Sequence, residues 1–490
     1  MFTSHSSASR RLCSFLGVLL LGPLLGLVWL ACSCEPLGGA KKHPLPRPNI
    51  IFVLVDDLGW TDLGCMGSRF YETPNIDQLA SQGMRFTQAY SACTVCSPTR
   101  AAVMTGKYPA RLHITDWIPG HVRPHAKLKV PDWTMYLPLK ETTIARALQS
   151  AGYATASVGK WHLGGEPFYP DRHGFDLNIG GTDKGSPSSY FAPYRIPTLS
   201  EGPSGEFLSD RLTAEALKFI EQNKDRPFFI YLSHYAVHTP LMAKPEVVEK
   251  YKKKVRPESP HRNPVYAGLV ESVDDSVGRI LRKLDELKLS ENTIILFTSD
   301  NGGLLSSTSN VPLRAGKGSA YEGGVRVPLI VKWPGVTRPG SVCDTPVISV
   351  DYFPTMLAMA GVKEDPRHVV DGESLVPLLK QTGSLQRDAI YWHYPHYHAG
   401  GATPYSAIRQ GDFKLIEFFE DNHVELYNLK EDIGEKDDLA AKMPEKAREL
   451  RAKLAVWRER VDAQLPSRNP DYDPAKVDGP RARPKKQTKP

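Results

Sequence analysis

Short apolar runs rich in β-branched and aromatic residues alternate with helical patterns from Asn49 to Lys332, and nothing else constrains the fold as much. Asn49–Val55, Ala154–Val158, Pro227–Leu232, Thr293–Thr298 and Val327–Lys332 read as buried strands. Helical patterns over Ile76–Gly83, Thr143–Ala151, Arg211–Asn223 and Tyr266–Leu287 separate them. Thr73 with Pro74 behind it, and Gly83 as a stop, bound the first of these. The last keeps Leu269, Val270, Val273, Val277, Ile280, Leu281 and Leu284 on one face. The pattern predicts an α/β fold: a large, mostly parallel β-sheet sandwiched by helices.

Near residue 385 the pattern changes. Ala389–His393, Tyr405–Arg409, Phe413–Glu417 and Val424–Tyr427 are short strands joined by turn residues, and an amphipathic helix follows over Pro444–Ala463. This predicts a smaller C-terminal α+β subdomain with an antiparallel sheet. The expected division is 48–385 for the large domain, 386–465 for the subdomain and 466–490 for a disordered tail rich in Pro, Lys and Arg. At the other end, Arg10 and Arg11 precede an uncharged apolar stretch from Leu12 to Cys34. Residues 1–34 therefore read as an export signal or membrane anchor and 35–47 as a linker. A periplasmic or extracellular protein is expected, with a retained tether as the alternative. Seven cysteines are too few for a disulfide scaffold. A net charge of +7 is mild; it suits an anionic substrate, and no nucleic-acid partner is expected.

In open α/β sheets ligands bind beyond the carboxyl ends of the strands. Four predicted strands end in reactive residues: Asp56-Asp57, then Lys160 and His162, then the stretch His234 to His238, then Asp300-Asn301. The two acidic pairs form an all-oxygen site suited to a hard divalent cation. No His or Cys pair stands at zinc-ligand spacing in these segments. Alone, each pair would more often be a turn or a cap. Arg100, Lys160 and Lys317 form a candidate anion clamp, Arg by a bidentate fork and Lys as a point charge. His162 and His238 are candidate acid/base groups.

Cys96-Ser97-Pro98-Thr99-Arg100, followed by Ala101 to Gly106, resembles the sulfatase signature C-x-P-x-R with its downstream T-G. Its rival is a redox C-x-x-C reading of Cys93 and Cys96. That reading is disfavoured because such pairs open a helix in a small thioredoxin-like domain. The surrounding segments are similar to the same family: Pro48 to Trp60, Thr73 to Asp77, Gly159 to Gly164, His173 to Asp176, Asp300 to Gly302, Tyr321 to Pro328 and Glu425 to Leu429. The resemblance to type I sulfatases, of the alkaline-phosphatase-like superfamily, runs from Pro48 to about Gln464.

It implies hydrolysis of a sulfate monoester through formylglycine. A formylglycine-generating enzyme would make that aldehyde from Cys96, and its hydrate carries one hydroxyl to attack sulfur and a second to expel sulfate. Asp56, Asp57, Asp300, Asn301 and modified Cys96 would hold one Ca²⁺. Arg100 would stabilise the hydrate, Lys160, His238 and Lys317 would contact sulfate, and His162 would take the hydrate's proton. His238 or Lys317 would protonate the leaving alcohol. Tyr391 to His398, dense in aromatic and imidazole rings, reads as a loop bordering the cleft, and the basic run Lys250 to Arg256 as a solvated helix face. A sulfated carbohydrate is the expected substrate. The alternatives are a phosphonate or phosphate monoester hydrolase of the same superfamily and an inactive glycan-binding homologue.

Overall fold

The computed structural model describes residues 47–477. The expected export segment, all but the last residue of the expected linker, and residues 478–490 of the expected tail lie outside the described residues. No described helix is long and apolar enough to cross a membrane.

The strands in chain order are β1 (Asn49–Val55), β2 (Met84–Tyr90), β3 (Leu128–Lys129), β4 (Ala154–Gly159), β5 (Leu177–Ile179), β6 (Phe228–Ser233), β7 (Thr293–Ser299), β8 (Arg326–Lys332), β9 (Ser341–Cys343) and β10 (Val347–Ile348). The C-terminal part adds β11 (Ala389–Tyr394), β12 (Tyr405–Gln410), β13 (Phe413–Phe418), β14 (Val424–Asn428) and β15 (Ser467–Arg468). Nine strands form the large sheet in the order β10-β2-β8-β7-β1-β6-β4-β5, with β9 also on β2. Only β8 runs against its neighbours.

The alternation along β1 shows why the sheet is covered on both sides. Ile51, Val53 and Val55 face one core with the helices Pro74–Gln82, Leu208–Gln222 and Pro264–Glu286. Ile50, Phe52 and Leu54 face a second core with the helices Cys96–Thr105, Ile144–Ser150 and Tyr352–Met359. A strand whose side chains point alternately to two apolar layers must be apolar at every position. The register pairs Leu54 with both Ser233 and Thr298, and Gly159 with Ser233. β7, β1, β6 and β4 thus end at one level, and the residues that follow them converge.

β11 to β14 form an antiparallel meander. Leu450, Leu454 and Trp457 of the helix Pro444–Arg460 pack on it, and the same apolar cluster takes in Tyr90, Val95 and Ala102 of the large domain. Trp392 Nε1 donates to Ser91 O at 2.8 Å, just before the Cys96 helix. The C-terminal sheet is therefore seated on the segment that carries Cys96.

Residues 467–469, expected as the start of the tail, are bound to the large domain. β15 pairs antiparallel with β3, and Asn469 Nδ2 donates to Pro124 O and Ala126 O at 2.8 and 2.7 Å. Two backbone carbonyls bound by one buried amide hold this stretch despite its polar composition.

Candidate active site

The strand ends bring Asp56, Asp57, Asp300 and Asn301 into one buried cluster. Asp57 N donates to Asp300 Oδ1 at 3.2 Å, and Asn301 Nδ2 donates to Asp57 Oδ1 at 2.8 Å. Asp57 adopts a left-handed backbone, φ 64°, where an L-residue is normally strained. Three buried carboxylates need counter-charge, and three cations supply it. Arg100 Nη2 lies 2.6 Å from Asp300 Oδ2 and 3.6 Å from Asp56 Oδ1. Lys160 Nζ lies 2.6 Å from Asp56 Oδ2, and Lys317 Nζ lies 2.6 Å from Asp57 Oδ1.

The carboxylates respond unequally. Burial pushes Asp56 up to about 7 against the pull of Lys160. Asp57 is held below the usual carboxylate range, where Lys317 and His238 outweigh its burial. Asp300 is likewise lowered, with Arg100 its strongest opposing charge. Asp56 Oδ1 and Asn301 Oδ1 are buried with no hydrogen-bond partner. Three carboxylates, one with an oxygen that no hydrogen bond satisfies, and the equally unsatisfied amide oxygen of Asn301 suit a hard cation. Oxygens of Asp56 and Asp57, Cys96 Sγ and a ring nitrogen of His238 also fall within 4.8 Å of one another.

Cys96 opens the helix Cys96–Thr105, all ten residues of which are buried. Burial, the largest cause, raises its thiol to about 11, against Lys160 and Lys317. Unmodified, this cysteine stays protonated at neutral pH and is a poor nucleophile. Lys317 Nζ stands 3.5 Å from its Sγ. Ser97 Oγ donates to His162 O at 2.9 Å and accepts from Ile118 N at 3.1 Å, tying the helix start to the two neighbouring loops. His162 is held far below its ordinary value, first by burial and then by Lys160. Its Nε2 bonds the Ile118 carbonyl, which can only accept, so the proton sits on Nε2 and Nδ1 carries a lone pair. That Nδ1 has no hydrogen-bond partner.

A pocket of about 520 Å³ opens above Cys96; His162, His238, Lys317, Trp117, His121 and His398 are among its walls. His238 Nδ1 bonds Thr239 O at 2.7 Å, and its Nε2 is 3.6 Å from Asp57 Oδ2. Burial and Lys317 lower it to about 4.

The candidate ligand, clamp and acid/base residues lie close together here, but they divide into two layers. Cys96, His162, His238 and Lys317 line the pocket. Arg100 and Lys160, expected as parts of an anion clamp, are fully buried and turned to the carboxylates. Arg100 also donates to Lys160 O and Ser233 Oγ at 3.1 and 2.5 Å. The aromatic and imidazole stretch splits as well. His393 and His396 are buried against Ser406 and Thr115, and only His398 reaches the pocket. Trp117 and His121 went unnoticed in the sequence because neither sits at a strand end. Only Lys250 and Lys252 of the basic run lie on the helix Pro245–Lys252, the rest following it, and Lys250 and Lys254 pair with Glu72. Cys93 and Cys96 are both free thiols.

Residues 48–362 match the sulfatase family profile, and 316–460 match the profile of the N-sulphoglucosamine sulphohydrolase C-terminal region. Human N-acetylgalactosamine-6-sulfatase is 36% identical, over 72% of this chain and 70% of its own. Human steryl-sulfatase is 32% identical, over 72% of this chain and 73% of its own. A crystal structure of Ps i-CgsB in complex with k-i-k-neocarrahexaose superposes with a TM-score of 0.73 at 31% identity, over 88% of this chain and 96% of that one. The chain belongs to the sulfatase family, with an alkaline-phosphatase-like fold, and is a hydrolase of sulfate esters.

Proposed function

We propose that the protein removes sulfate from sulfated carbohydrates, using formylglycine made from Cys96 by a formylglycine-generating enzyme and one Ca²⁺ held by Asp56, Asp57, Asp300, Asn301 and the modified Cys96. One observation carries the reading: Cys96 lines the pocket, 3.5 Å from Lys317, beside a carboxylate cluster with two buried oxygens that no hydrogen bond satisfies. The thiol of Cys96 stands in for the aldehyde hydrate. That hydrate supplies the attacking and the expelling hydroxyl, and calcium supplies positive charge for the sulfate oxygens. The chain's own residues do the rest. Lys317 and His238, on the pocket wall, hold the sulfate, and the leaving alcohol takes its proton from Lys317, the one of the pair that stays charged at neutral pH. Arg100 and Lys160 brace the carboxylates from behind and keep positive potential at the pocket floor. His162, neutral and with its Nδ1 lone pair open, accepts the hydrate's second proton as sulfate departs. Carbohydrate as substrate is supported by the N-acetylgalactosamine-6-sulfatase relative and by the neocarrahexaose complex. The expected export follows from Arg10 and Arg11 ahead of the apolar stretch.

The test is turnover by protein co-expressed with a formylglycine-generating enzyme. N-acetylgalactosamine 6-sulfate, a carrageenan oligosaccharide, a steryl sulfate and an aryl phosphate are compared. Formylglycine lowers the mass of the tryptic peptide Phe86–Arg100 by about 18 Da. The converted fraction hydrolyses a sulfated sugar, Cys96→Ala loses at least about a thousandfold in kcat, and EGTA removes activity that Ca²⁺ restores. An unconverted but fully active thiol, or preference for the phosphate or the sterol, would overturn the corresponding part.

A further inference from the structure

We propose that Glu435, in the C-terminal subdomain, is a positioning residue that latches both ends of the loop carrying Lys317. The inference rests on the pocket role given to Lys317 above. Lys317 sits at the turn of a loop running from Arg314 to Glu322, and Gly323 N closes its base by donating to Arg314 O at 2.9 Å. Gly323 permits this closure: a Cβ there would meet Ala315 O at 2.2 Å and Arg314 O at 2.5 Å.

Both ends of the loop then meet one residue. Arg314 Nη1 donates to the Glu435 carbonyl at 2.8 Å. Glu322 N donates to the Glu435 carboxylate, Oε2, at 2.7 Å. Lys414 Nζ, on β13, bridges the two carboxylates, 3.0 Å from Glu322 and 2.9 Å from Glu435. Glu322, Lys414 and Glu435 are all wholly buried. Around them, Tyr90 donates to Glu322 at 2.7 Å and Arg326 stands 3.3 Å from it. The Arg314 guanidinium lies 3.7 Å over the Tyr321 ring and donates to Tyr427 at 2.9 Å. Glu435 itself has a left-handed backbone, φ 50°. A buried charge that loses its partner is costly, so the network has one arrangement rather than several. With its base fixed, the loop carries Lys317 Nζ to Asp57 and Cys96 without searching.

The latch acts through Lys317, and a double-mutant cycle reads that directly. Two variants break different bonds: Glu435→Gln changes the carboxylate, and Arg314→Met, on a half-buried side chain, releases the other end. With 4-nitrophenyl sulfate as probe, each lowers kcat/KM about tenfold. In a Lys317→Gln background, the same substitutions cost less than about twofold. Thermal unfolding of each variant separates lost stability from lost coupling. Full multiplication of the effects with Lys317→Gln would overturn the latch, as would wild-type kcat/KM in both single variants. If Lys317→Gln is itself silent while wild type turns over the probe, both the latch and the assigned role of Lys317 fail, and the Cys96 reading stands.

Discussion

His234 shows at the scale of one residue what the sequence could and could not say. It follows β6 at the start of the stretch that runs on to His238, and nothing in the sequence assigns it a role beside that candidate acid/base group. In the fold it is fully buried, and neither ring nitrogen has a hydrogen-bond partner. Burial alone lowers it from 6.5 to about 4. Because the unfolded chain binds this proton more readily, stability is lost as pH falls from 6.5 through about 4. Replacing the ring removes that loss. His234→Leu is therefore expected to gain on wild type as pH falls through this window, by up to about 1.4 kcal/mol per pH unit. Urea denaturation of both proteins at pH 7, 6 and 5 checks it, and a constant gap contradicts it. The paired comparison cancels other titrating groups, such as Asp116, which burial raises to about 8 and which acts with the opposite sign.

At the scale of elements, legibility followed burial symmetry. β1, β6 and β7 were readable because both faces are covered and each run is nearly all apolar. β2 was not, since Arg85, Thr87 and Gln88 interrupt its buried positions. The Cys96–Thr105 helix was also unread as a helix: buried all round, it has no polar face to set a period. Where a strand ends can matter as much as its register. Gly159 closes β4 at φ 102°, and a Cβ there would lie 1.9 Å from Ser233 O of the neighbouring strand. Lys160 N donates to that same Ser233 O at 2.8 Å, and its side chain reaches Asp56 from there. Gly159→Ala should cost about 3 kcal/mol or more, from left-handed strain plus the clash. A melting temperature within a degree of wild type would show that the strand end can move without penalty.

For the whole molecule, the contacts between distant segments decide how the site is walled. The C-terminal subdomain supplies His398, between β11 and β12, to the pocket and Glu435, after β14, to the loop bearing Lys317. β15 and Asn469 pin residues 124–129, which follow the pocket-lining segment 117–121. Asn469→Ala removes two hydrogen bonds to backbone carbonyls, the one to Ala126 buried, and is expected to destabilise by about 1–3 kcal/mol. Substrate KM should rise with it as the wall loosens. Unchanged unfolding free energy would mean that the β3–β15 pairing holds without the amide.

Residue identity and local period were enough to reveal a parallel α/β sheet, its reactive strand ends and the C-x-P-x-R run, because these are carried by neighbours in the chain. They could not say which cation turns to which carboxylate. Arg100 and Asp300 are 200 residues apart, Lys160 and Asp56 104, and Lys317 and Asp57 260. Their pairing is dictated by the cost of burying charge without a partner. Only the closed fold makes that cost felt, and it drew Arg100 and Lys160 behind the acids while leaving Lys317 at the pocket.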